Sequence, residues 1–275
     1  MTEIGTKPVN DAWRARYGED APLQAIAPAV ASLLEHRSVR AYTPRPVGDD
    51  ILTQAIAAAQ SASSSSNLQA WSVVAVRDPA KRARLAELAG HQRHVAEAPL
   101  FLVWLADWSR LRRIGAAQQR TTAGIDYLES YTIAVVDAAL AAQNAAVALE
   151  AQGLGIVYIG GLRDQPEQVA AELGLPKGCF AVFGMCVGYP DPARPADIKP
   201  RLPQSAVLHH ERYDSGSEAA LVQDYDQRMA AFQRGQDRDE KPWSQKSVER
   251  VGGPKALMDR VRLKEALKSL GFPLL

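Results

Sequence analysis

A chain of mixed helices and strands around a substantial core is what the sequence predicts, and three observations carry it. Of its 275 residues 47% are hydrophobic and 23% charged, which is enough apolar area for one large α/β domain or two small ones. Helix-period and strand-period segments alternate along the chain. One strand-length run, residues 99–106, is almost wholly apolar, and one helix-length run, residues 127–151, is apolar or small nearly all round. Both therefore belong in an interior or at an interface.

Residues 1–25 read as a polar N-terminal extension, mobile and without a role. A short amphipathic helix over 26–35 then delivers the chain to His36. Pro44 and Pro46 enforce an extended stretch, and Asp49 or Asp50 can cap an apolar helix over 51–60. A serine run, Ser63 to Ser66, follows that helix. Strands are expected over 71–76 and 99–106, with a helix over 79–89 between them. The longest helix, 127–151, is stopped by Gly153. A strand with a glycine turn over 155–161, a helix over 166–173 and a strand over 180–189 come next, then a proline-rich crossing to Pro203. Beyond Glu218 the chain is helical, polar and loop-like over 234–243, and ends in a helix over 256–270. No linker divides it, so 26–275 reads as a single domain.

Charge and motif content exclude several classes of function. Thirty-two basic against 31 acidic residues leave a net charge of +1, so no global field draws nucleic acid or an anionic membrane. Neither is expected as a partner. The start lacks a signal-peptide pattern and no stretch reads as a bilayer span, so a cytoplasmic location is expected. Cys179 and Cys186 lie in apolar sequence and read as core thiols. There is no P-loop, no strand-GxGxxG-helix fingerprint, no metal-ligand spacing among the five histidines and no GxSxG serine. Neither a catalytic metal nor a side-chain nucleophile is expected, so the chemistry is borrowed from a cofactor. Two basic segments, His36-Arg37-Ser38-Val39-Arg40 and Lys199-Pro200-Arg201-Leu202-Pro203, supply the cations and donors that a phosphate requires. Either alone reads better as a solvated basic patch, and it is their company in the sequence that favours a phosphate site.

These two segments occur in order with the Ser63–Ser66 run and Leu68-Gln69, Gln92-Arg93-His94-Val95-Ala96, Val136-Asp137-Ala138-Ala139 with Ala142-Gln143-Asn144-Ala145, and Gly153-Leu154-Gly155 continuing to Tyr158-Ile159-Gly160-Gly161-Leu162-Arg163. From about residue 36 to about 243 the chain resembles the FMN-dependent nitroreductase superfamily, in its NADPH-preferring, oxygen-insensitive branch of the NfsA and flavin reductase P type. The resemblance implies an α+β nitroreductase fold, a mixed, mostly antiparallel sheet flanked by helices. It further implies an intertwined homodimer, with the long helix and the C-terminal helix at the interface and FMN sites built from both chains.

By the same resemblance His36, Arg37, Ser38, Lys199 and Arg201 hold the FMN phosphate. Arg40 lies at the N1 and C2-carbonyl edge of the ring, where a guanidinium stabilises negative charge. Ser64, Ser65 and Ser66 reach the flavin from the partner subunit, and Gln92 bonds its pyrimidine side. Tyr158, Ile159, Gly160 and Gly161 cover one ring face, with backbone N–H groups near N5. Arg234 and Arg238, in an excursion over about 204–250, clamp the 2'-phosphate of NADPH. Asn67 lines the acceptor pocket where better-known members carry an aromatic residue. Trp71 and Trp104 read as core, and no side chain need act as acid or base.

The implied activity is NADPH-dependent two-electron reduction of a nitroaromatic, a quinone or another flat acceptor by ping-pong kinetics. Two alternatives stay open. One is a flavin reductase releasing free reduced FMN, and the other is a non-catalytic flavin-binding sensor or storage protein.

Overall fold

The computed structural model describes residues 6–21 and 26–275. In chain order its helices are α1 (Thr6–Tyr17), α2 (Pro28–Leu34), α3 (Asp49–Gln60), α4 (Pro79–Leu88), α5 (Arg93–Glu97), α6 (Ser109–Ala117), α7 (Leu128–Glu150), α8 (Pro166–Leu173), α9 (Glu218–Arg234), α10 (Trp243–Arg250), α11 (Pro254–Leu257) and α12 (Leu263–Ser269). Its strands are β1 (Trp71–Val76), β2 (Leu100–Asp107), β3 (Gly155–Ile159) and β4 (Cys179–Gly188). The chain gathers into two compact units, one of residues 1–37 and 197–257, the other of 38–196 and 258–275.

The second unit is built on the antiparallel sheet β1-β2-β4-β3. β2 is buried along its whole length and pairs with β1 from Trp71 opposite Ala106 and with β4 from Leu100 opposite Val187. Period-2 alternation sends Leu100, Leu102 and Trp104 to one face and Phe101, Val103 and Leu105 to the other. On the first face α7 packs Ala141, Ala142, Ala145 and Ala146 with Ala55 and Ala59 of α3. Alanine on both helices permits this close approach, and each large apolar side chain buried there contributes about 1.5–3 kcal/mol. On the other face lie Leu85 and Leu88 of α4, Val95 of α5 and Val169 of α8. Gly184 of β4 is required, because a Cβ there would stand 2.1 Å from the Phe101 ring.

A parallel bridge joins Ser38 to Ile156, with Val39 N–H donating to Ile156 O at 2.9 Å. It runs the segment after Arg37 along β3, so the sheet is mixed only through this short contact. Gly155 makes it possible, since a Cβ there would meet Val39 at 2.5 Å.

The first unit has its own core of Val9, Ala12, Trp13, Ala31 and Leu34, with Ile198 packed against it. Part of the expected mobile extension is therefore ordered: α1 is a helix and buries one side. The remainder, 1–5 and 22–25, lies outside the described residues.

Other expectations are corrected locally. Gly48, not an aspartate, is the N-cap of α3; Asp49 and Asp50 occupy its first turn, where they complement the helix dipole. The expected terminal helix over 256–270 is broken by a 3₁₀ turn, Met258–Arg262, that starts at a left-handed Met258. Arg234 closes α9 rather than lying in a loop, and β3 ends at Ile159 before the 3₁₀ turn Gly160–Arg163. By length and composition α7 could cross a membrane, contrary to the sequence reading. Its buried Asp137 and its packing on the sheet make it a core helix.

Candidate functional site

In the first unit α2 ends at Leu34 and hands the chain to His36 and Arg37, while the second basic segment, Lys199 to Arg201, runs beside α1. Arg16 of α1 joins them: its Nε donates to Leu34 O at 2.9 Å, its Nη2 to His36 O at 2.7 Å and its Nη1 to Lys199 O at 3.4 Å. Arg201 N–H donates to Arg16 O at 2.9 Å. Two stretches far apart in sequence are thus brought together. Arg16 carried no signal as a site residue, although Val9, Ala12, Trp13 and Arg16 recur at the spacing of a helix face.

Arg37 donates only to Glu35 O at 3.1 Å, Arg40 to Ser38 O at 3.5 Å, and Arg201 to Lys199 O at 3.3 Å and Pro200 O at 3.2 Å. Among the described residues none of these three has a carboxylate partner, whereas Arg77, Arg112, Arg234 and Arg262 each do. All three are exposed. Guanidinium groups held on rigid backbone and satisfied only by their own loop carbonyls fit a phosphorylated, electron-rich ligand.

In the second unit Ser38 and Val39 lie against β3, and Tyr42 Oη donates to Val39 O at 2.6 Å. Arg40 follows at once. Burial, reinforced by the positive charge of Arg40, holds the His94 imidazole below its ordinary pKa. At the end of β3 the turn presses against Gln92: a Cβ on Gly161 would stand 2.3 Å from Ala89 O and 2.6 Å from Gln92 Nε2. Gln92 Nε2 itself donates to Ala89 O at 2.8 Å, so Gln92, Gly160 and Gly161 form one patch. Tyr158 is 36% exposed. It sits edge-on to Phe183 and donates to Gln143 Oε1 at 3.2 Å, and burial raises its phenol pKa. Ile159 turns its side chain into the core at 1% exposure, leaving its main chain to serve the patch.

The serine run is shaped from α7. Asp137, 2% exposed, accepts from Ser64 Oγ at 2.6 Å, Ser65 N–H at 3.1 Å and Ala70 N–H at 3.2 Å, and Ser64 Oγ accepts from Gln69 N–H at 2.8 Å. Ser66, Asn67 and Gln69 adopt left-handed φ of 48°, 54° and 49°, each a cost of about 1–3 kcal/mol that surrounding structure must offset. Ser64 is consumed in holding the loop, while Ser65, Ser66 and Asn67 are exposed at its tip. In the sequence Asp137 stands out only within the run Val136-Asp137-Ala138-Ala139. An acid in the middle of an otherwise apolar helix was the available signal.

Arg234 is gripped by Glu240 through Nε at 3.1 Å and Nη2 at 2.7 Å, which raises its pKa further. Arg238 follows a left-handed Asp237, φ 51°, in the same loop, and is exposed. The thiols offer no nucleophile. Burial pushes the Cys179 thiol up to about 12 and raises Cys186 as well, so both stay protonated at neutral pH.

Among the described residues, arginines without a carboxylate partner, a glycine turn against an amide and buried, protonated thiols suit a scaffold that borrows its chemistry from a bound group. The chain belongs to the nitroreductase family: the Nitroreductase family model matches residues 33–189 and that of the Nitroreductase family, C-terminal domain, residues 199–275. It is 40% identical over 228 residues to the NADPH-flavin oxidoreductase of Vibrio harveyi, covering 82% of this chain and 91% of that one. It is 41% identical over 221 residues to the oxygen-insensitive NADPH nitroreductase of Salmonella typhimurium, covering 80% and 89%. A solved structure of NADPH:FMN oxidoreductase from Vibrio harveyi complexed with NAD+ superposes with a TM-score of 0.79 at 37% identity, over 89% of this chain and 98% of that one. The family and the α+β fold anticipated from the order of the motifs are those found.

Proposed function

We propose that this protein is an NADPH-dependent FMN oxidoreductase acting on nitroaromatics, quinones or similar flat acceptors. The observation that carries the proposal is the set Arg37, Arg40 and Arg201, cations with no carboxylate partner among the described residues, in a chain whose relatives are named for NADPH, flavin and nitro-group reduction. When bound, FMN would supply the chemistry the chain lacks, two-electron transfer between NADPH and the acceptor.

The chain's own residues bind, orient and stabilise charge. His36, Arg37, Ser38, Lys199 and Arg201 would hold the phosphate. Arg40 would stabilise negative charge developing on the ring. Gln92 and the backbone of Ile159, Gly160 and Gly161 would orient the ring, with Tyr158 beside it. Arg238, with Arg234 if its pair with Glu240 opens, would meet the 2'-phosphate of NADPH.

The active form in this reading is a homodimer. Along α7, Leu128, Val136 and Leu140 are exposed, Val136 at 49% and Leu140 at 43%, an apolar stripe at helical spacing that a second copy would cover. Asp137 ties the serine loop to that same helix, so Ser65 and Ser66 would be delivered to the partner's flavin and Asn67 to its acceptor pocket. We place the protein in the cytoplasm, where NADPH is supplied.

The visible spectrum of the purified protein, recorded without air before and after NADPH and then NADH, tests the reading. A bound flavin bleached rapidly by NADPH and slowly by NADH supports it; a colourless protein that takes up no FMN refutes it. The relative named NADPH-flavin oxidoreductase favours a second reading in which free FMN is the acceptor. The ratio of turnover with free FMN to turnover with a nitroarene or quinone separates the two.

A further inference from the structure

We infer that Arg16, on a helix ahead of both family-matched segments, is a positioning residue for the cofactor phosphate; the inference rests on the FMN reading above. The matched segments begin at residues 33 and 199, whereas α1 spans Thr6–Tyr17. Arg16 is buried, at 6% exposure. It holds the carbonyls of Leu34, His36 and Lys199, and its own carbonyl holds the N–H of Arg201. One residue therefore fixes the main chain of both basic segments.

A planar guanidinium with five donors sets the angles between its acceptors, which a single ammonium cannot do. With these carbonyls committed to Arg16, the backbone that carries His36, Arg37, Lys199 and Arg201 is ordered on folding rather than on binding, and the ordering cost is removed from the affinity. The helix is itself pinned from α9. Arg228 Nη1 donates to Tyr17 O at 2.6 Å, and Tyr225 Oη to Pro200 O at 3.0 Å. A buried cation also adds positive potential for a phosphate. The two effects are separable, because lysine keeps the charge and loses the fork.

The test uses full-length protein freed of flavin by dialysis and titrated with FMN and with riboflavin, which lacks the phosphate, by fluorescence quenching. Wild type, Arg16→Lys, Arg16→Met and the double variant Lys199→Ala, Arg201→Ala are compared. Arg16→Lys is expected to bind FMN about tenfold or more weakly with riboflavin affinity unchanged, and Arg16→Met more weakly still. Parallel loss of both ligands would mean general loosening and would overturn the inference. So would an Arg16→Lys variant that binds FMN like wild type, which would reduce Arg16 to its charge. If Arg16→Met does not fold, Arg16→Lys alone decides. A wild type that takes up no FMN, or a double variant with full FMN affinity, would instead sink the FMN reading beneath it.

Discussion

Arg40 and Asp137 carry opposite charges to opposite ends. Arg40 is exposed and, among the described residues, hydrogen-bonds only to Ser38 O. Asp137 is buried and fully occupied by three donors of the serine loop. Replacing Arg40 by Ala should keep much of the flavin and slow its reduction by NADPH in stopped flow, whereas Lys199→Ala with Arg201→Ala should lose the flavin. Equal flavin content and equal rates in the two variants would refute the assignments. Asp137→Ala leaves the Ser64 hydroxyl and the Ser65 and Ala70 N–H groups without an acceptor, so a loss of about 3 kcal/mol or more in urea unfolding is expected. His94 sets an acid limit. Burial and then the Arg40 charge favour its neutral form, so below an unfolded pKa of about 6.5 the unfolded chain takes the proton first. The stability from this group is complete above that pH and is lost as pH falls toward the lower folded value. A His94→Gln variant should show a shallower decline of melting temperature between about pH 6.5 and 5. At this scale the sequence was legible where a feature rests on a local string, as with the basic run His36 to Arg40, whose Arg37 and Arg40 are exposed. It was illegible for Arg16 and Asp137, whose partners are mostly main-chain groups distant in sequence.

Elements were legible where a single period dominates. β1, β2, β4 and α7 lie within a residue or two of their expected bounds, because continuous apolar runs leave little choice. α1 was missed because charged and polar residues on its outer side concealed the buried stripe Val9, Ala12, Trp13 and Arg16. The terminal helix was overextended because its apolar period passes through Met258, where the backbone turns left-handed. The turn after β3 offers the sharpest element-scale prediction. In Gly161→Ala the new methyl would meet a backbone carbonyl, Ala89 O, and the amide of Gln92. Backbone cannot yield as a side chain can, so a cost of about 1–3 kcal/mol is expected. Weakened flavin binding should accompany it as Gln92 is pushed aside, and thermal melts with flavin-release assays read the two effects separately.

For the whole molecule, the sequence offered no dividing linker, and the structure explains why. The first unit is assembled from both sides of the second, residues 1–37 and 197–257, so no single boundary exists to be seen. The proposed dimer makes a direct prediction. Val136→Asp with Leu140→Asp, both on the exposed stripe of α7, should yield a monomer by light scattering. It should also lose flavin and activity together, because the partner's serine loop is then absent. A dimer that survives the double substitution would place the interface elsewhere.

The discontinuity of the first unit also has a consequence during protein synthesis. α1 and α2 leave the ribosome before the rest of their unit, since the segment that Arg16 grips and the helix that pins Tyr17 are made only after the whole of 38–196. At ordinary elongation rates that interval is roughly 10–30 s. Through it Trp13 and the Arg16 guanidinium have no Lys199 or Arg201 to close upon, while the sheet unit already has most of its chain. On the proposed reading, the capacity to retain a phosphorylated cofactor would be acquired only once residues 197–257 emerge. A nascent chain stalled before residue 197 would leave Trp13 and Tyr17 of α1 without the later part of their unit.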